Sequence, residues 1–572
     1  MGYKNAKEAI ANQSGFINKG SYMGNEVVEP VLGNADNIRI YVNNILMNTA
    51  KGNADAGVDL RRIPSNLIEK IEIRGNDIYI TTKAPLDDTL LIQFLYGAYN
   101  TIIPKILFSK NFNNKHIVTF TANSYYTDGN YYYDFINKNN EEVIGYINDN
   151  KQLLINSSLD YIYNFENNDY IKAFVNISYS DCASQYKLPP IDKTDSWFKF
   201  TTLLSSLSYN GFSDILDYNI NLSYVFDSFV DRPYFTNGKA ISDYRSHAIG
   251  INASFSKMCE FNYNNITFYN KLLPEYRYEF LVEDTNTIEK NFLFKPQRHS
   301  LSIKYEPQLS FGYFDEETPI FSIIPKIKYE FQYENFNNIK NYNHYLFYDA
   351  AINLNFYKGY SLYFSYLHEY QVPTFNDLFY NNFSNPNLKP EEYNQIYTKL
   401  YLEPITNLKI EISYSYAIYT NKIVYITTTP ENVDKAISHI LNPSISYDIQ
   451  FAKYHKIKTK LSYSYQLAYF RENKLKKIGL PENVISALLG YDFISKYKIL
   501  NSLSINFTYN YYSKRPLTDY KPIYYSEEFH NFSISFYSIW LEHLIFSINF
   551  TVSGRRLRWY FRYKDVGDDG GE

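Results

Sequence analysis

The sequence has few cysteines, few glycines and no long apolar run, and each shortage excludes a class of protein. Two cysteines in 572 residues, Cys182 and Cys259, supply neither a disulfide framework nor a cysteine-rich metal cluster. Twenty-two glycines are too few for the turn-rich repeats of a propeller. No apolar segment approaches the roughly 18 residues that a spanning helix needs. A helical membrane protein is therefore excluded.

Concentrated positive charge and catalytic motifs are also missing. The chain carries 56 Lys and Arg against 60 Asp and Glu, with no basic tract, so we expect no nucleic-acid partner. It contains no nucleophile elbow, no H-E-x-x-H helix, no P-loop and no G-x-G-x-x-G turn. We therefore predict no catalytic residues, no metal site and no cofactor, and expect that the chain is not an enzyme. The alternative to this expectation is an enzyme, namely a hydrolase embedded in a β-barrel.

Aromatic residues are abundant, with 62 Tyr and 41 Phe against 3 Trp. One interpretation is the interfacial aromatic girdle of a transmembrane barrel. The other is an AT-rich genome, whose codons favour Tyr, Phe, Asn, Ile and Lys together. Composition alone does not decide between them.

Strict alternation of apolar and polar residues dominates the chain from about residue 88 onwards. It is plain in Ile410–Tyr416, Leu461–Leu467, Leu503–Tyr509 and Phe532–Phe536. A period of two places all apolar side chains on one face of a strand. That face points inwards in a soluble sandwich and towards lipid in a membrane barrel, so strand number and connections must decide.

The alternating segments predict 22 strands, about one per 22 residues, each long enough to contain the ~9–11 residues that cross a bilayer. They are centred near residues 90, 106, 120, 156, 173, 202, 220, 251, 269, 303, 326, 350, 365, 399, 415, 448, 463, 489, 506, 533, 547 and 560.

Long and short linkers fall on opposite sides of this predicted sheet. The long linkers are 127–151, 182–195, 227–246, 281–297, 371–393, 427–443, 469–484 and 512–528. The short ones are 164–168, 210–215, 357–361, 403–408, 455–458 and 539–543. Long outer loops and short inner turns are typical of outer-membrane barrels, whereas stacked soluble sandwiches have no reason to keep this parity.

One long linker interrupts the alternation with three prolines, each of which removes a backbone donor. It includes the runs Val372–Tyr380 (V-P-T-F-N-D-L-F-Y) and Asn385–Glu391 (N-P-N-L-K-P-E). These runs resemble the signature of TonB-dependent outer-membrane receptors. The motif positions are Pro373, Asn385, Pro386, Asn387, Leu388, Pro390 and Glu391.

The resemblance implies a 22-stranded barrel in the bacterial outer membrane, with an N-terminal plug, that imports a scarce nutrient. It extends to a plug motif at Ile63, Pro64, Ile68, Glu69, Ile71, Glu72, Arg74 and Gly75. The implied partners are outer-membrane lipid, a TonB-type energy-coupling protein and a small-molecule nutrient ligand.

The N-terminal part departs from the family pattern. Asn43-Asn44 stands where the family usually has Asp-Gly, and Arg74-Gly75 meets Asn76-Asp77 without the dozen or so residues that the family places between them. We recognise neither a signal peptide nor the coupling segment called the TonB box. The plug is therefore predicted to be shortened.

The predicted fold class is an all-β transmembrane barrel of about 22 antiparallel strands with a small, shortened α/β plug. The boundaries are a partial plug at 1–83, the barrel at 84–564 and an acidic tail at 565–572. Gly554–Tyr563 resembles a final barrel strand. On this topology Cys182 and Cys259 lie on opposite sides of the membrane and should not form a disulfide.

The sequence predicts the ligand less specifically than it predicts the fold. Tyr380, Asn381, Asn382, Phe383 and Asn385, at the tip of the motif linker, are the candidate ligand-binding residues, although this tip could instead simply fold over the barrel mouth. The size and style of the chain resemble receptors for cobalamin or ferric siderophores.

The alternatives are a haem receptor and a passive or adhesive barrel without energised transport. Haem receptors of the family place a histidine between the two motif runs, and none stands there in this sequence. His368, which precedes the first run, is predicted to be a girdle or lumen residue.

Overall fold

The computed structural model describes most of the strands and short turns. The described residues are 10, 16–20, 26–30, 38–49, 58, 60, 63, 68–74, 76–82, 88–97, 100–129, 131–136, 142–147, 151–184, 196–233, 242–261, 266–283, 295–314, 318–336, 339–379, 384–426, 429–470, 480–494, 500–516, 528–540, 544–554 and 558–560.

Six strands precede the barrel. They are β1 (Phe16–Gly20), β2 (Glu26–Pro30), β3 (Arg39–Val42), β4 (Ile45–Leu46), β5 (Ile68–Arg74) and β6 (Asp77–Thr82). β1 and β2 form an antiparallel hairpin, and the other four form a sheet in the order β4-β3-β6-β5, which we call the plug sheet.

The turn between β3 and β4 explains why Asn-Asn replaces Asp-Gly. Asn43 and Asn44 both have left-handed backbones, with φ of 50° and 65°. Two successive residues of positive φ make the type I′ turn that suits a tight hairpin, and Asn tolerates this conformation better than other residues that carry a side chain. Asn-Asn in place of Asp-Gly therefore preserves the conformation of the turn.

In the part of the chain that the structure describes, twenty-five more strands and one short helix follow. They are β7 (Thr89–Gly97), β8 (Thr101–Phe112), β9 (His116–Thr127), β10 (Tyr131–Ile136), β11 (Glu142–Ile147), β12 (Gln152–Asn164), β13 (Tyr170–Ser184), β14 (Ser196–Gly211), β15 (Asp217–Pro233), β16 (Ser242–Phe261), β17 (Ile266–Glu283), β18 (Gln297–Tyr305), β19 (Gln308–Tyr313), β20 (Pro319–Phe336), β21 (Ile339–Tyr357), β22 (Tyr360–Gln371), α1 (Phe375–Phe379), β23 (Glu391–Ile405), β24 (Leu408–Ile426), β25 (Thr429–Ala452), β26 (His455–Phe470), β27 (Asn483–Ile494), β28 (Leu500–Tyr512), β29 (Phe529–Trp540), β30 (Leu544–Gly554) and β31 (Arg558–Tyr560).

The strands from β7 to β30 form a closed barrel, except for β10 and β11, which form a separate hairpin. β18 and β19 are successive parts of one wall strand, because both pair with β17 on one side and β20 on the other. The 22 barrel segments thus occupy 21 positions around the wall. The predicted all-β barrel with an N-terminal plug is confirmed.

The last predicted strand lies elsewhere. Of Gly554–Tyr563, the described residues Arg558–Tyr560 pair in parallel with β10, in a three-stranded sheet of order β11-β10-β31. β30 therefore closes the barrel against β7. Since the wall has an odd number of strands and successive strands are antiparallel, these two run in the same direction.

The connections differ sharply between the two ends of the barrel. We call the end at which β7 begins the lower end, and the opposite one the upper end. Connections at the lower end are two to five residues long, whereas most of those at the upper end are longer, including 372–390 and 513–528. This confirms the predicted parity, with one exception. The predicted long linker 427–443 is mostly strand, because β24 and β25 extend as a hairpin in which Ile426 pairs with Thr429.

The two faces of the wall differ in polarity as the alternation predicts. Large apolar side chains point outwards and are more than half exposed, as at Ile92, Phe94 and Ile177. Inward positions carry small polar groups that bond across strands, such as the hydroxyls of Ser109 and Thr119 at 3.0 Å. Closure pairs the wall's backbone groups within the sheet, which hydrocarbon requires. No described helix has both the length and the apolar character needed to cross a membrane.

The main hydrophobic core lies between the plug sheet and one side of the barrel. Ile40, Val42, Ile78 and Ile80 of the plug sheet pack in it and are almost fully buried. The barrel contributes inward residues from four neighbouring strands, namely Phe174, Leu204, Val225 and Ala248. Burial of this face fixes the plug sheet against β13 to β16.

Candidate functional site

The segment 372–390, which we call the mouth loop, joins β22 to β23 at the upper end and carries α1. Thr374 Oγ1 accepts a hydrogen bond from Asp377 N at 3.2 Å, and Thr374 N donates to Asp377 Oδ2 at 2.8 Å. This reciprocal arrangement is a capping box, with Asp in the position usually held by Glu. The short run T-F-N-D therefore contains both residues that cap the N-terminus of α1.

The mouth loop is held to the wall where it begins. Buried Arg298 donates from Nε to Glu334 at 2.7 Å and from a terminal nitrogen to the carbonyl oxygen of Pro373 at 2.8 Å. Its guanidinium carbon lies 5.0 Å from the ring centroid of Phe375, a cation–π contact. Phe375 is fully buried in a mainly aromatic cluster with Phe198, Phe200, Phe229, Tyr244 and Leu281. α1 thereby packs across part of the barrel mouth.

The second half of the mouth loop is fastened to the β24–β25 hairpin. The Asn385 amide nitrogen donates to the carbonyl oxygen of Pro430 at 3.2 Å. Lys389 N donates to Asn432 Oδ1 at 2.8 Å, and the amide nitrogen of Asn432 returns a bond to Lys389 O at 3.0 Å. Leu388 packs with Leu378 and Ile423. The side chain of Asn385 thus has a structural partner.

The family motif ends in a buried ion pair. Lys422 Nζ donates to both carboxylate oxygens of Glu391, at 2.7 and 3.0 Å, and Ile423 N donates to the same group at 2.7 Å. Pro373 and Glu391 therefore mark the two ends at which the loop is tied down. Pro386 and Asn387 lie exposed between them. Tyr380, Asn381, Asn382 and Phe383 lie outside the described residues, so their role stays a prediction.

A cavity of 1140 Å³ occupies the lumen beside the plug sheet. It is lined by Arg39, Tyr41 and Asp77 of the plug, and by inward residues of β14 to β25. Those wall residues come mostly from the lower two thirds of their strands, for example Asn210 and Lys326. The cavity therefore lies on the lower side of the plug sheet, whereas the mouth loop covers the upper side.

The charged groups of the cavity wall are arranged in pairs. Lys326 binds Asp349 at 2.7 Å, and Lys399 binds Glu411 at 3.1 Å. Lys304 is similarly paired with Glu306. Amides and hydroxyls fill the space between these pairs. The wall offers many hydrogen-bonding groups with little excess of either charge.

Direct bonds join the plug sheet to the opposite side of the barrel. Arg39 is bound to Asp77 within the plug and to Glu369 of β22 at 2.9 Å. Burial on its own would lower the pKa of Arg39, but the two carboxylates raise it well above its usual value. Asn76 donates to the hydroxyl of Tyr419 at 3.1 Å. The plug is therefore tied to the strand that leads directly into the mouth loop.

The described part of the plug motif has a mainly structural role. Ile63 and Ile68 are buried in the core with the plug sheet, and Ile71 packs against it. Glu69 is exposed, and Glu72 forms an ion pair with Lys70. Pro64, Gly75 and the side chain of Arg74 lie outside the described residues, as does the tail 565–572.

The histidines of the described strands are located on the outside of the barrel. Eight of the nine lie in described strands, at positions where the alternation faces outwards. The wall at His368 borders the cavity, but its ring is on the other face, where it stacks on Tyr348 at 4.5 Å and bonds Asn394 at 2.9 Å. His368 is therefore a girdle residue, and the described lumen offers no imidazole to a haem iron.

No metal-binding group of three His, Cys, Asp or Glu residues occurs among the described residues. Cys182, near the upper end of β13, and Cys259, near the lower end of β16, lie at opposite ends of the barrel and are not joined by a disulfide, as predicted.

Sequence reasoning missed the residues that hold the mouth loop and the plug. Arg39, Arg298, Lys422 and Asn432 belong to no motif of the chain. Polar residues occupy many inward positions of the wall, so a polar residue in a strand does not by itself mark a partner. An inward-facing Arg close to the upper end of a strand is the only signal that could have singled out Arg298.

Solved structures with this fold include transporters and uptake receptors. The FrpB iron transporter of Neisseria meningitidis (F5-1 variant) superimposes with a TM-score of 0.71 and 11% identity, covering 97% of this chain and 92% of that one. The ferric yersiniabactin uptake receptor FyuA of Yersinia pestis gives 0.67 and 10%, covering 94% and 88%.

The copper transporter OprC gives a TM-score of 0.68 and 12% identity, covering 94% of this chain and 87% of that one. No family model and no curated protein matches the sequence. At these identities the likeness establishes the fold. The resemblance to TonB-dependent outer-membrane receptors is confirmed at that level.

Proposed function

We propose that this chain is a TonB-dependent receptor of the bacterial outer membrane that imports a small-molecule nutrient. The observation that carries the proposal is the closure of the lumen. The plug sheet crosses the barrel and is bonded to both sides of it, while the mouth loop is fastened across the upper end. A simple diffusion pore needs neither feature.

A metal chelate is the ligand class with the most support. The named neighbours are transporters or receptors for iron, ferric yersiniabactin and copper, and such chelates are polar molecules of moderate size. The cavity below the plug is large enough for a drug-sized molecule, and its wall offers donors and acceptors without a strong net charge. Ferric siderophores are therefore the first candidates, and cobalamin, suggested by the size of the chain, is the second.

The mouth loop is the proposed point of capture. Its tip, Tyr380 to Phe383, is carried on a segment that Arg298 and Asn432 fix at both ends. Two aromatic rings and two amides on such a base can stack on a chelate and hydrogen-bond to it. Movement of ligand past the plug then depends on a TonB-type partner acting from the lower side.

Binding to purified protein refolded in detergent tests this proposal. Cobalamin, haemin and several ferric siderophores are titrated against the wild type, the pair Tyr380→Ala/Phe383→Ala and the control Tyr357→Ala. Tyr357 is an exposed aromatic residue at the lower end of β21. We expect micromolar or tighter binding of one ligand class, weakened at least tenfold by the loop variant alone. Absence of binding from a folded barrel would contradict the receptor function.

A passive barrel is the second candidate, and the lower cavity favours it. A lumen that already contains 1140 Å³ of space needs less rearrangement to conduct solutes. Liposome-swelling assays with sugars of increasing size separate the two functions. Solute entry without ligand or partner would support the passive barrel, and an impermeable vesicle would support the gated receptor.

A further inference from the structure

The outer surface of the barrel carries one contact that recurs seven times. In each case the Nδ1 atom of a histidine lies 2.6–3.0 Å from a tyrosine hydroxyl on the neighbouring strand. The pairs are His116–Tyr161, His247–Tyr224, His299–Tyr276, His344–Tyr329, His439–Tyr414, His455–Tyr491 and His530–Tyr509.

All seven pairs share one register. His299 lies directly opposite Tyr278, stacks on it at 4.5 Å and bonds Tyr276, two residues earlier on that strand. In the other six pairs, too, an aromatic residue lies directly opposite the histidine, and the bonded tyrosine is two residues N-terminal to it. Cross-strand diagonals of this kind are within reach of long side chains, and the twist of the sheet favours one of the two diagonals.

The pairs form two levels with mirrored orientation. His116 and His455 begin their strands at the lower end, and the other five histidines lie towards the upper end. The bonded tyrosine is always two residues N-terminal to the residue that lies opposite the histidine. It therefore lies nearer the middle of the barrel only when an upper histidine is on a strand that runs downwards, or a lower histidine is on a strand that runs upwards. All seven satisfy this condition.

His368 shows what happens when the condition is not met. It is at the upper level but on β22, which runs upwards, and its Nδ1 bonds the amide of Asn394 instead of a tyrosine hydroxyl. The seven mirrored pairs and the exception at His368 fit an arrangement that depends on depth in the membrane as well as on strand pairing. Such an arrangement is oriented with respect to the middle of the membrane.

The distance between the two levels matches a bilayer. On β25, His439 is 13 residues above Ala452, which pairs with His455. At about 3.3 Å per residue and a tilt near 40°, this separates the levels by roughly 33 Å, slightly more than the ~30 Å hydrocarbon core. The outward residues between them include Leu441, Ile445, Ile449 and Phe451. The tyrosine rings thus lie at the edge of the apolar layer and the imidazoles lie among lipid headgroups.

The hydrogen-bond chemistry leaves one donor on each histidine directed at the headgroups. A tyrosine hydroxyl at the edge of the hydrocarbon layer needs an acceptor, and Nδ1 supplies it. The remaining ring hydrogen of a neutral imidazole is then on Nε2. For these seven histidines, the described residues provide no partner for Nε2. Phosphate oxygens are the strong acceptors that a membrane offers at this level.

Charges of both signs lie above the upper level. Arg245, Lys340 and Lys435 lie on the outward face, two to four residues beyond paired histidines, and Asp243, Glu392, Glu431 and Glu528 are acids at the same end. Basic groups close to a membrane surface attract anionic headgroups.

We propose that the Tyr–His pairs are lipid-phosphate sites, in which tyrosine orients the imidazole and Nε2–H binds the phosphate of a membrane lipid. The two levels of sites then fix the depth of the barrel in the bilayer.

The test compares the wild type with a variant in which the five upper histidines (247, 299, 344, 439 and 530) are changed to Phe. Phe keeps the ring stacking and removes the donor. The proteins are placed in nanodiscs of equal parts phosphatidylglycerol and a phosphate-free glycolipid with the same acyl chains, and retained lipids are counted by native mass spectrometry. His368→Phe is the matched control. We expect the wild type and the control to retain at least threefold more phospholipid than glycolipid, and the variant to show no preference.

An equal preference in all three proteins would overturn the proposal. If the fivefold variant does not fold, a second measurement on the wild type and the single variant His299→Phe gives the answer. Solid-state NMR of protein with ¹⁵N-labelled histidine measures the dephasing of Nε2 by lipid ³¹P. Dephasing confined to Nε2, and lost at one site in His299→Phe, supports the proposal, and absence of dephasing refutes it.

Discussion

The ion pair between Glu391 and Lys422 is the most deeply buried charged contact of the mouth loop. Each side chain is only 2% exposed. Charges removed from water in this way stabilise a fold only when their partners are complete, and here the carboxylate also accepts Ile423 N. Lys422 further lies 5.0 Å from the ring centroid of Tyr419. Glu391 and Lys422 must therefore both be present for the buried ion pair to stabilise the fold.

Removal of one member should cost more than removal of both. Lys422→Met leaves the Glu391 carboxylate buried without its cation, and we expect a loss of about 3–5 kcal/mol in the free energy of unfolding. Lys422→Met combined with Glu391→Leu should lose less. Urea unfolding in detergent measures both values, and equal losses in the single and double variants would contradict the coupling.

Asp169, in the turn between β12 and β13, should make the lower end sensitive to acid. Its carboxylate accepts the hydroxyl of Tyr209 at 2.6 Å, Phe212 N at 2.9 Å and the amide nitrogen of Asn167 at 2.8 Å. These bonds, chiefly that from Tyr209, lower the pKa of Asp169. A lowered folded-state pKa stabilises the fold above the unfolded value of about 3.9, and this stabilisation is lost as the pH falls through the folded value.

We therefore expect Asp169→Asn to lower the urea midpoint at pH 7 and to have little effect near pH 2. Unfolding curves at several pH values show this convergence. Glu166→Gln is the control, because Glu166 is 88% exposed in a surface ion pair with Lys115 and should change nothing. A difference from the wild type that is constant across the pH range would show that the three bonds do not depend on ionisation.

At the scale of elements, α1 depends on its cap. Five residues are too few for an isolated helix, so the capping box and the packing of Phe375 must define it. Thr374→Ala removes one half of the box and should destabilise α1 by about 0.5–2 kcal/mol. Hydrogen exchange of amides 375–379 should accelerate accordingly. Thr374→Ser keeps the hydroxyl and should exchange like the wild type, and unchanged exchange in the alanine variant would mean that the Thr374 hydroxyl is not needed to maintain α1.

The sequence shows where alternation works as a predictor and where it fails. Within the bilayer every strand must be apolar outside, so the period of two located all 21 wall positions. The hairpin around Pro430 extends above the membrane, where neither face has to be apolar, and 427–443 was therefore wrongly assigned as a linker. The prolines marked the mouth loop, but not its bonds to Arg298 and Asn432, because such contacts depend on the register of distant strands.

At the scale of the molecule, a wall of 21 strands encloses more space than its own side chains fill, so the plug sheet decides whether the lumen is open. Apolar packing holds that sheet on the β13–β16 side. On the opposite side the connection is polar, through Arg39 and Asn76. The polar side is the weaker of the two, because its bonds can exchange with water in the lumen, and it borders the cavity.

Loss of Arg39 should therefore loosen the plug without disturbing the barrel. Arg39→Met leaves Asp77 and Glu369 facing each other without their cation, and their repulsion should open the sheet edge along the cavity. We expect higher single-channel conductance in planar bilayers, while the urea midpoint of the barrel stays unchanged. Lys399→Met is the matched control, since its partner Glu411 belongs to the wall. Equal conductance in both variants would show that the remaining contacts, the apolar packing and the Asn76–Tyr419 bond among them, hold the plug without Arg39. An increase confined to Arg39→Met would show that this ion pair keeps the plug closed on the cavity side.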